Sequence, residues 1–333
     1  MTTPARTIEM APEKRFLRPR LQLRFLAIWI ALAILLLGCL IVVPRSVSLM
    51  TFRLNMPFIA FLAIASMGQA LVLMARGIDL SVPGIITMAS ALILGVSGGS
   101  DDRLWFAVGV ALLAATTIGL VNGMLVAILK LNALIVTLAT GAIVTGTALW
   151  YRQGLAAEAK VPDALASIAS SRPMTIALSV WIAVLIAILL TLLLKRTPYG
   201  RRFEAVGANP DAAHATGIEI MRYQVAAFAL AGLLYGVVAV LLSGFIRNPT
   251  LEVGNPYLLA PIAAAVLGGT AISGGIGSMI AVFGAAIFLM QLDQAARMLG
   301  LATSWQLVIQ GIAIAAGMWL SEATSRIGGR RRG

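Results

Sequence analysis

The chain has 333 residues and a mass of 34.9 kDa, a length that in a soluble protein would suggest two domains. However, 60% of its residues are hydrophobic, only 11% are charged, and the mean hydropathy is +0.95. Soluble domains carry roughly 25% charged residues. A soluble globular chain and an intrinsically disordered chain are therefore both excluded, and the composition predicts a polytopic, all-α membrane protein.

Apolar runs follow one another along most of the chain. A spanning helix needs about 20 mostly apolar residues because the hydrocarbon core is about 30 Å thick. The third, eighth and ninth runs are the shortest, and the ninth contains several glycines. We predict about ten spans, at residues 25–43, 57–75, 82–97, 104–129, 131–150, 174–194, 223–245, 258–272, 276–292 and 304–320.

The first run is predicted to be a retained anchor. It is longer than the roughly 7–15 apolar residues of a signal peptide, and no small-residue cleavage pattern follows at Val43. Ten spans would leave both termini on one side. That side carries 17 of the 25 Lys and Arg residues, so the positive-inside rule makes it cytoplasmic. We therefore predict a cytoplasmic tail at 1–24, a membrane domain at 25–320 and a basic cytoplasmic tail at 321–333. The net charge of +12 is a topology signal, and no nucleic-acid partner is predicted.

The first polar landmark lies between the second and third runs. It contains Gly77, Asp79 and Ser81. A carboxylate so close to a membrane is costly unless it is paired or hydrated, which favours a functional role. Asp79 could instead pair with Arg76, or cap the helix that starts near Ser81 with a proline just inside it.

The second landmark is the glycine-rich segment 267–278, which includes Gly268, Gly269 and Ser273. It is not a phosphate-binding loop, because no Gly-x-x-x-x-Gly-Lys-Ser/Thr pattern occurs in the chain. The spacing Gly77-x-x-x-Ser81 recurs as Gly269-x-x-x-Ser273, 192 residues later. We therefore predict two halves in the same orientation, spans two to five and seven to ten, as transporters are often built from repeats.

The third landmark is the longest predicted cytoplasmic loop, 195–222. Asn209 can cap a short helix whose first residue is Pro210, and Gly217 can end it. The alanines between them favour helix. Such small residues suit close docking into a groove of a partner, although composition alone slightly favours a plain solvated connector.

Catalytic and metal-binding groups are scarce. Cys39 and His214 are the only residues of their types, which excludes disulfides and His-pair metal sites. No nucleophile has a base nearby, so neither a catalytic residue nor a metal site is predicted. Some polar residues within the spans could line a hydrophilic path, although hydrogen bonds between helices would also explain them. The path candidates are Gln69, Asn122, Thr140 and Gln306.

Several of these segments, taken in order, resemble a known family. They are 77–82, 119–123, 131–140, 197–218 and 267–278. Together they are similar to the membrane-spanning permease subunits of bacterial ABC importers of the ribose, xylose and galactose type. Pro83 and the pair Ala75-Arg76 depart from the residues that are common in this family, and Arg76 could alter contacts around Asp79.

The resemblance implies an inner-membrane subunit that works beside a cytoplasmic ATPase, which binds ATP and Mg²⁺, and a periplasmic solute-binding protein. It also implies a second copy of the permease or a related permease. The chain itself would hold no cofactor and carry a small sugar. The ATPase-coupling residues by resemblance are Glu204, Gly207, Asn209, Ala212, Ala213 and Gly217. The alternative is a carrier driven by an ion gradient, which the absence of a central carboxylate in any span disfavours.

Overall fold

A computed structural model describes residues 23–156 and 159–302, together with residues 304, 305, 308, 311, 312 and 315. Over this part of the chain the secondary structure is helical, with no strand. In chain order the α-helices are α1 Leu23–Val42, α2 Leu49–Met74, α3 Val82–Ser97, α4 Leu104–Ala127, α5 Ala133–Gln153, α6 Asp163–Ser170, α7 Leu178–Arg196, α8 Pro198–Ala208, α9 Pro210–Ala215, α10 Ile220–Ile246, α11 Ala260–Leu267 and α12 Met279–Met298.

The predicted class, an all-α polytopic membrane protein, is confirmed. Within the described residues, seven helices are long and apolar enough to cross a membrane: α1, α2, α4, α5, α7, α10 and α12. Two shorter apolar segments, Val82–Ser97 and Asn255–Leu267, correspond to the predicted third and eighth runs. The predicted tenth run, 304–320, lies largely outside the described residues.

Helix boundaries follow local capping more closely than hydropathy. Helix α3 begins and ends where the apolar run predicts. Helix α2 begins earlier than predicted, because Ser48 caps it by accepting a hydrogen bond from the amide of Thr51 (3.3 Å), and Pro57 lies inside the helix. The sequence did not predict α6, which lies in a polar stretch, or α8. Helix α8 begins where Thr197 accepts a hydrogen bond from the amide of Gly200 (3.1 Å), with Pro198 at its first position.

Helix α2 forms the centre of the bundle. In its most apolar stretch of 18 residues, 94% is buried inside the protein, whereas the corresponding share is 17–28% in α1, α4, α5 and α7. Helices α7, α10, α11 and α12 all contact it. Helix α2 is apolar on every side, as expected for a helix that is enclosed by other helices. The outer helices carry exposed residues such as Ile34, Leu113 and Ile135, which suits contact with lipid.

Helices α4 and α10 approach each other backbone to backbone. A Cβ atom on Gly119 of α4 would lie 2.3 Å from the carbonyl oxygen of Phe228, and one on Gly232 of α10 would lie 2.4 Å from that of Ala115. Small residues at such a crossing let membrane helices pack closely, because no side chain separates them. The crossing brings Asn122 of α4 towards the centre of the bundle, where it is fully buried.

The three polar landmarks meet at one end of the bundle. This end holds the C-terminus of α2, the loop Ala75–Ser81 that leads to α3, the pair α8–α9, and the loop Gly268–Ser278 between α11 and α12. We call Ala75–Ser81 the first loop and Gly268–Ser278 the second loop. Segments separated by more than 100 residues in sequence are therefore neighbours in the fold.

Candidate functional site

Helices α8 and α9 form a short helical pair on the surface. Helix α8 buries Phe203, Val206 and Gly207 on one side. Glu204 is half-buried and pairs with Lys195 at the end of α7 (Oε1–Nζ 2.6 Å). This ion pair is close to solvent, so it contributes little stability. It links α8 to the end of α7.

The predicted short helix beginning at Pro210 is confirmed as α9. The side chain of Asn209 accepts a hydrogen bond from the amide of Ala212 (3.1 Å). Gly217 follows the helix with a φ of 79°, in the left-handed region that glycine tolerates. Ala212 is exposed, whereas Ala213 is 4% exposed and packs inward. The predicted coupling residues are thus divided between an outward face and an inward face.

Gly207 is the point at which the landmarks touch. A Cβ atom on Gly207 would lie 2.0 Å from the carbonyl oxygen of Met74 at the end of α2, and 2.5 Å from the amide nitrogen of Gly275 in the second loop. In addition, the amide of Gly275 donates a hydrogen bond to the carbonyl of Met74 (2.9 Å). Three backbones therefore contact one another here, and the sequence pattern alone did not reveal this.

Arg76 adds a side-chain link at the same point. The predicted pairing of Arg76 with Asp79 does not form. Instead Arg76 Nε donates to the carbonyl of Gly207 (2.7 Å), and its Nη2 donates to the carbonyl of Ala208 (2.8 Å). These carbonyls belong to the last turn of α8, where the helix has no further amides that could donate hydrogen bonds to them. A cation is also favourable there because of the helix dipole.

The second loop depends on glycine conformations. Gly269, Gly274 and Gly275 have φ angles of 83°, 92° and 77°. Helix α11 ends in a Schellman motif, in which the amide of Gly269 bonds to the carbonyl of Val266 (2.9 Å) and that of Thr270 to the carbonyl of Ala265 (3.0 Å). Gly268, before Gly269, packs against the backbone of α12. Ser273, the other predicted residue, is exposed.

The first loop is held by buried polar side chains. Asp79 Oδ1 accepts from the amide (2.8 Å) and the hydroxyl (2.6 Å) of Ser81, and Asn122 Nδ2 donates to the same hydroxyl (2.9 Å). Asp79 thus makes a turn with Ser81 instead of capping α3, so the capping prediction is wrong in detail. The side chain of Ser81 does not cap α3 either.

Two further side chains complete this network. Thr137 of α5 accepts from the amide of Leu80 (2.9 Å). The Gln69 amide, in the orientation that satisfies both of its ends, accepts from the amide of Asp79 and donates to its carbonyl, both at 3.1 Å; it also donates to Tyr235 (3.2 Å). Four helices thus converge on the first loop.

Asp79 carries a buried carboxyl group with a perturbed pKa. Burial raises the pKa of its carboxyl to about 6, and the hydrogen bonds from Ser81 lower it by less. Its second oxygen has no hydrogen-bond partner among the described residues. The loop therefore holds a carboxylate that is expensive to ionise, which sequence reasoning had recognised only as an unusual position.

The structure places the four path candidates in different environments. Gln69 and Asn122 are fully buried within the network around the first loop. Thr140 lies on α5, one turn after Thr137, and is partly exposed. Gln306 lies outside the described residues. Sequence reasoning counted Thr137 only among the polar residues of the spans and missed Tyr235, because an isolated threonine or tyrosine in an apolar run gives no signal of its neighbours.

Comparison with known proteins gives a consistent result. Residues 56–317 match the model of the family described as "Branched-chain amino acid transport system / permease component". The L-arabinose transport system permease protein of Escherichia coli (strain K12) is 29% identical over 309 residues, covering 90% of this chain and 92% of that protein.

Two further relatives are similar over most of their length. The ribose import permease protein of Bacillus subtilis (strain 168) is 30% identical over 269 residues, 80% of this chain and 83% of that protein. The autoinducer 2 import system permease protein of Photorhabdus laumondii is 33% identical over 272 residues, 81% and 80% respectively. No solved structure matches the chain significantly.

Proposed function

The chain belongs to the family of transport-system permease components, and from that premise we propose that it is the membrane-spanning subunit of an ATP-driven ABC importer for a small sugar or sugar-like solute. Members of this family are transport subunits, not enzymes. Relatives named for import of L-arabinose, ribose and autoinducer 2 support the solute class.

The observation that carries the proposal is the position of α8–α9. This helical pair presents exposed small residues, such as Ala212 and Ala215, at the surface. Its inner side contacts the end of α2 and the second loop through Gly207 without any intervening side chain. A partner that moves α9 therefore acts on the core of the bundle through rigid backbone contacts, since closely packed elements transmit strain.

That partner is a cytoplasmic ATPase that binds ATP and Mg²⁺, so this chain needs no cofactor of its own. Closure of the ATPase pair would push on α9 and switch the permease from inward-facing to outward-facing. A periplasmic binding protein would then deliver the solute to the opposite face. A second permease, identical or related, would complete the membrane part.

The membrane arrangement is a bacterial inner-membrane protein of about ten spans with both termini in the cytoplasm. The excess of Lys and Arg on that side supports this orientation. The segments that begin at α2 and at α11 would form a parallel repeat. In support, α2 and α11 both end in a Schellman motif just before a loop that contacts Gly207.

The translocation path runs beside the buried polar network. Gln69 and Asn122 already offer amide groups of the kind that bind hydroxyls, and Thr140 and Gln306 would extend the path. Rearrangement of the first loop would expose Gln69 and Asn122 to the solute. Selectivity for one sugar would lie mainly with the binding protein.

The test uses Ala212→Arg, a change on the exposed face of α9 that leaves the inner packing intact. We expect the ATPase to stop copurifying with the permease. Uptake of radiolabelled L-arabinose or D-ribose by cells that carry the whole system should fall at least about tenfold, because a bulky charge is forced into a close contact. Ser170→Arg, on the exposed surface of α6, is the matched control and should leave copurification of the ATPase unchanged.

Two outcomes would refute the proposal. One is normal uptake and normal ATPase association in Ala212→Arg. The other is uptake by ATP-depleted vesicles that follows an imposed ion gradient, which would establish a secondary carrier.

A further inference from the structure

We infer that Arg76 is a positioning residue that transmits movement of α8–α9 to the buried first loop. This inference rests on the proposed function, because it names the residue through which α9 acts on the region of the translocation path. Three observations support it: the backbone conformation of Arg76, the bonds of its side chain, and the rigidity of the residues that follow.

The backbone of Arg76 occupies a position that normally suits glycine. Helix α2 ends in a Schellman motif, in which the amide of Arg76 bonds to the carbonyl of Leu73 and that of Gly77 to the carbonyl of Val72, both at 2.9 Å. Arg76 has a φ of 66°, in the left-handed region, which disfavours residues with a Cβ. An arginine in this position needs compensation from its side chain.

The side chain provides that compensation by holding α8. Its Nε and Nη2 donate to the carbonyls of Gly207 and Ala208, the last two residues of the helix. Two bonds from one planar guanidinium fix both the distance and the orientation of the helix end, which a lysine cannot do. Among the described residues, Arg76 is the only one in the first loop that bonds to α8.

The residues after Arg76 are held in place by close packing and hydrogen bonds. Gly77 is buried, and a Cβ atom there would lie 2.8 Å from the ring of Phe228. Asp79 and Ser81 are fully buried, and the amides of Leu80 and Ser81 are both hydrogen-bonded to side chains. A displacement of α8 that pulls on Arg76 therefore reaches Asn122 through the chain of bonds from Asp79 to Ser81 and from Ser81 to Asn122.

The first experiment measures this coupling in the chain alone, reconstituted in lipid nanodiscs, by hydrogen exchange at the amides of Leu80 and Ser81. Ala213→Glu displaces α9 by placing a charge at a buried position. With Arg76 present, it should accelerate exchange at both amides about tenfold, the factor that corresponds to loss of one charge-assisted hydrogen bond. In an Arg76→Gly background the same change should alter exchange less than about twofold.

Arg76→Gly is chosen because it removes the link and also relieves the left-handed backbone, so the variant keeps its fold. Arg247→Gly is the matched control. Arg247 also has a positive φ, 68°, but it follows the C-terminus of α10, at the end of that helix that is remote from α8 and α9. Arg76→Lys retains the charge without the two-point bond and should restore only part of the coupling.

Equal acceleration in the Arg76 and Arg76→Gly backgrounds would overturn the inference, and so would no acceleration with Arg76 present. In the assembled transporter, Arg76→Gly should still copurify with the ATPase while uptake falls about tenfold. Loss of ATPase binding in this variant would instead make Arg76 a docking residue. Because the exchange experiment needs no ATPase, its outcome is independent of whether the proposed function holds.

Discussion

The first and second loops perform the same structural task by opposite means. Each follows a Schellman motif at the end of an apolar helix, contacts Gly207 or its neighbours, and leads into another apolar helix. The first loop is held by the side chains of Asp79, Thr137 and Asn122. The second loop is held by its backbone, and its glycines leave space for Gly207.

This difference shows what buried irregular backbone requires near a membrane. Its polar groups must be satisfied within the protein, either by side chains that reach in or by backbone that approaches directly. The first loop depends on polar side chains, so substitutions that remove their polar groups weaken it. The second loop depends on the absence of side chains, so substitutions that add atoms weaken it. Four substitutions test this distinction, in order of decreasing effect.

The largest effect is expected for an added methyl group in the second loop. Gly275→Ala places a Cβ atom 2.5 Å from the amide nitrogen of Ala208, at a φ of 77°. Backbone strain and overpacking together should lower the free energy of unfolding by roughly 4 kcal/mol. Chemical denaturation in detergent micelles measures this loss.

The matched control for that change is Gly98→Ala. Gly98 also has a positive φ, 55°, but no atom lies within 4 Å of the added Cβ. This variant carries the conformational cost alone, roughly 1–2 kcal/mol. Equal losses in the two variants would mean that the contact with α8 is not tight.

The next effect is a pH dependence in the first loop. Because the folded pKa of Asp79, about 6, is raised above its unfolded value of 3.8, the folded chain retains the proton between these values. This carboxyl therefore contributes stability below pH 4 that is lost as the pH rises through 6. The change is on the order of 2–3 kcal/mol.

Asp79→Asn removes this titration while keeping an acceptor for Ser81. The free energy of unfolding, measured from pH 4 to 7, should therefore fall less steeply in the variant than in the parent chain. All other carboxyl groups are common to both proteins, so the difference between the two curves isolates Asp79. Identical slopes would contradict the assignment.

A smaller effect is expected when one polar anchor of the first loop is deleted. Thr137→Val keeps the shape of the side chain but leaves the amide of Leu80 without its acceptor. A buried amide left unpaired costs about 1–2 kcal/mol. In the same helix, Thr147 bonds only to the carbonyl of Ile143 and is exposed, so Thr147→Val should be nearly neutral. Thermal unfolding of the two variants distinguishes these results.

The smallest effect is expected outside both loops. Glu204→Gln breaks the ion pair with Lys195, which lies near the surface. The loss should be below about 1 kcal/mol and should shrink further at high salt. A loss of several kcal/mol, measured by the same denaturation, would show that the ion pair is a major constraint on α8.

Local residue chemistry explains why some elements were predictable. Asn209, Pro210 and the alanines after them specify α9 through contacts within four residues, and the structure confirms that helix. Helix α3 was bounded correctly because Pro83 and Gly98 mark its ends. In contrast, α8 was missed, since its charged residues and glycines resemble a loop until Phe203 and Val206 are seen to be buried.

The positions of the loops relative to one another were not predictable. The spacing of 192 residues aligns Gly77 with Gly269, whereas the two Schellman motifs align Arg76 with Gly269. The second loop is also longer, because its following helix begins only at Met279. Sequence spacing records residue types, but the structural equivalence depends on which residue adopts the left-handed conformation.

The sequence by itself determined that the chain is a helical membrane protein, and which segments are irregular, because hydropathy, capping and glycine content act over a few residues. Only the tertiary structure decided that Met74, Gly207 and Gly275 meet and that Arg76 bonds to α8 and not to Asp79. Those contacts join segments that are far apart in the sequence. They depend on how closely α2 and its neighbours pack, which no local pattern encodes.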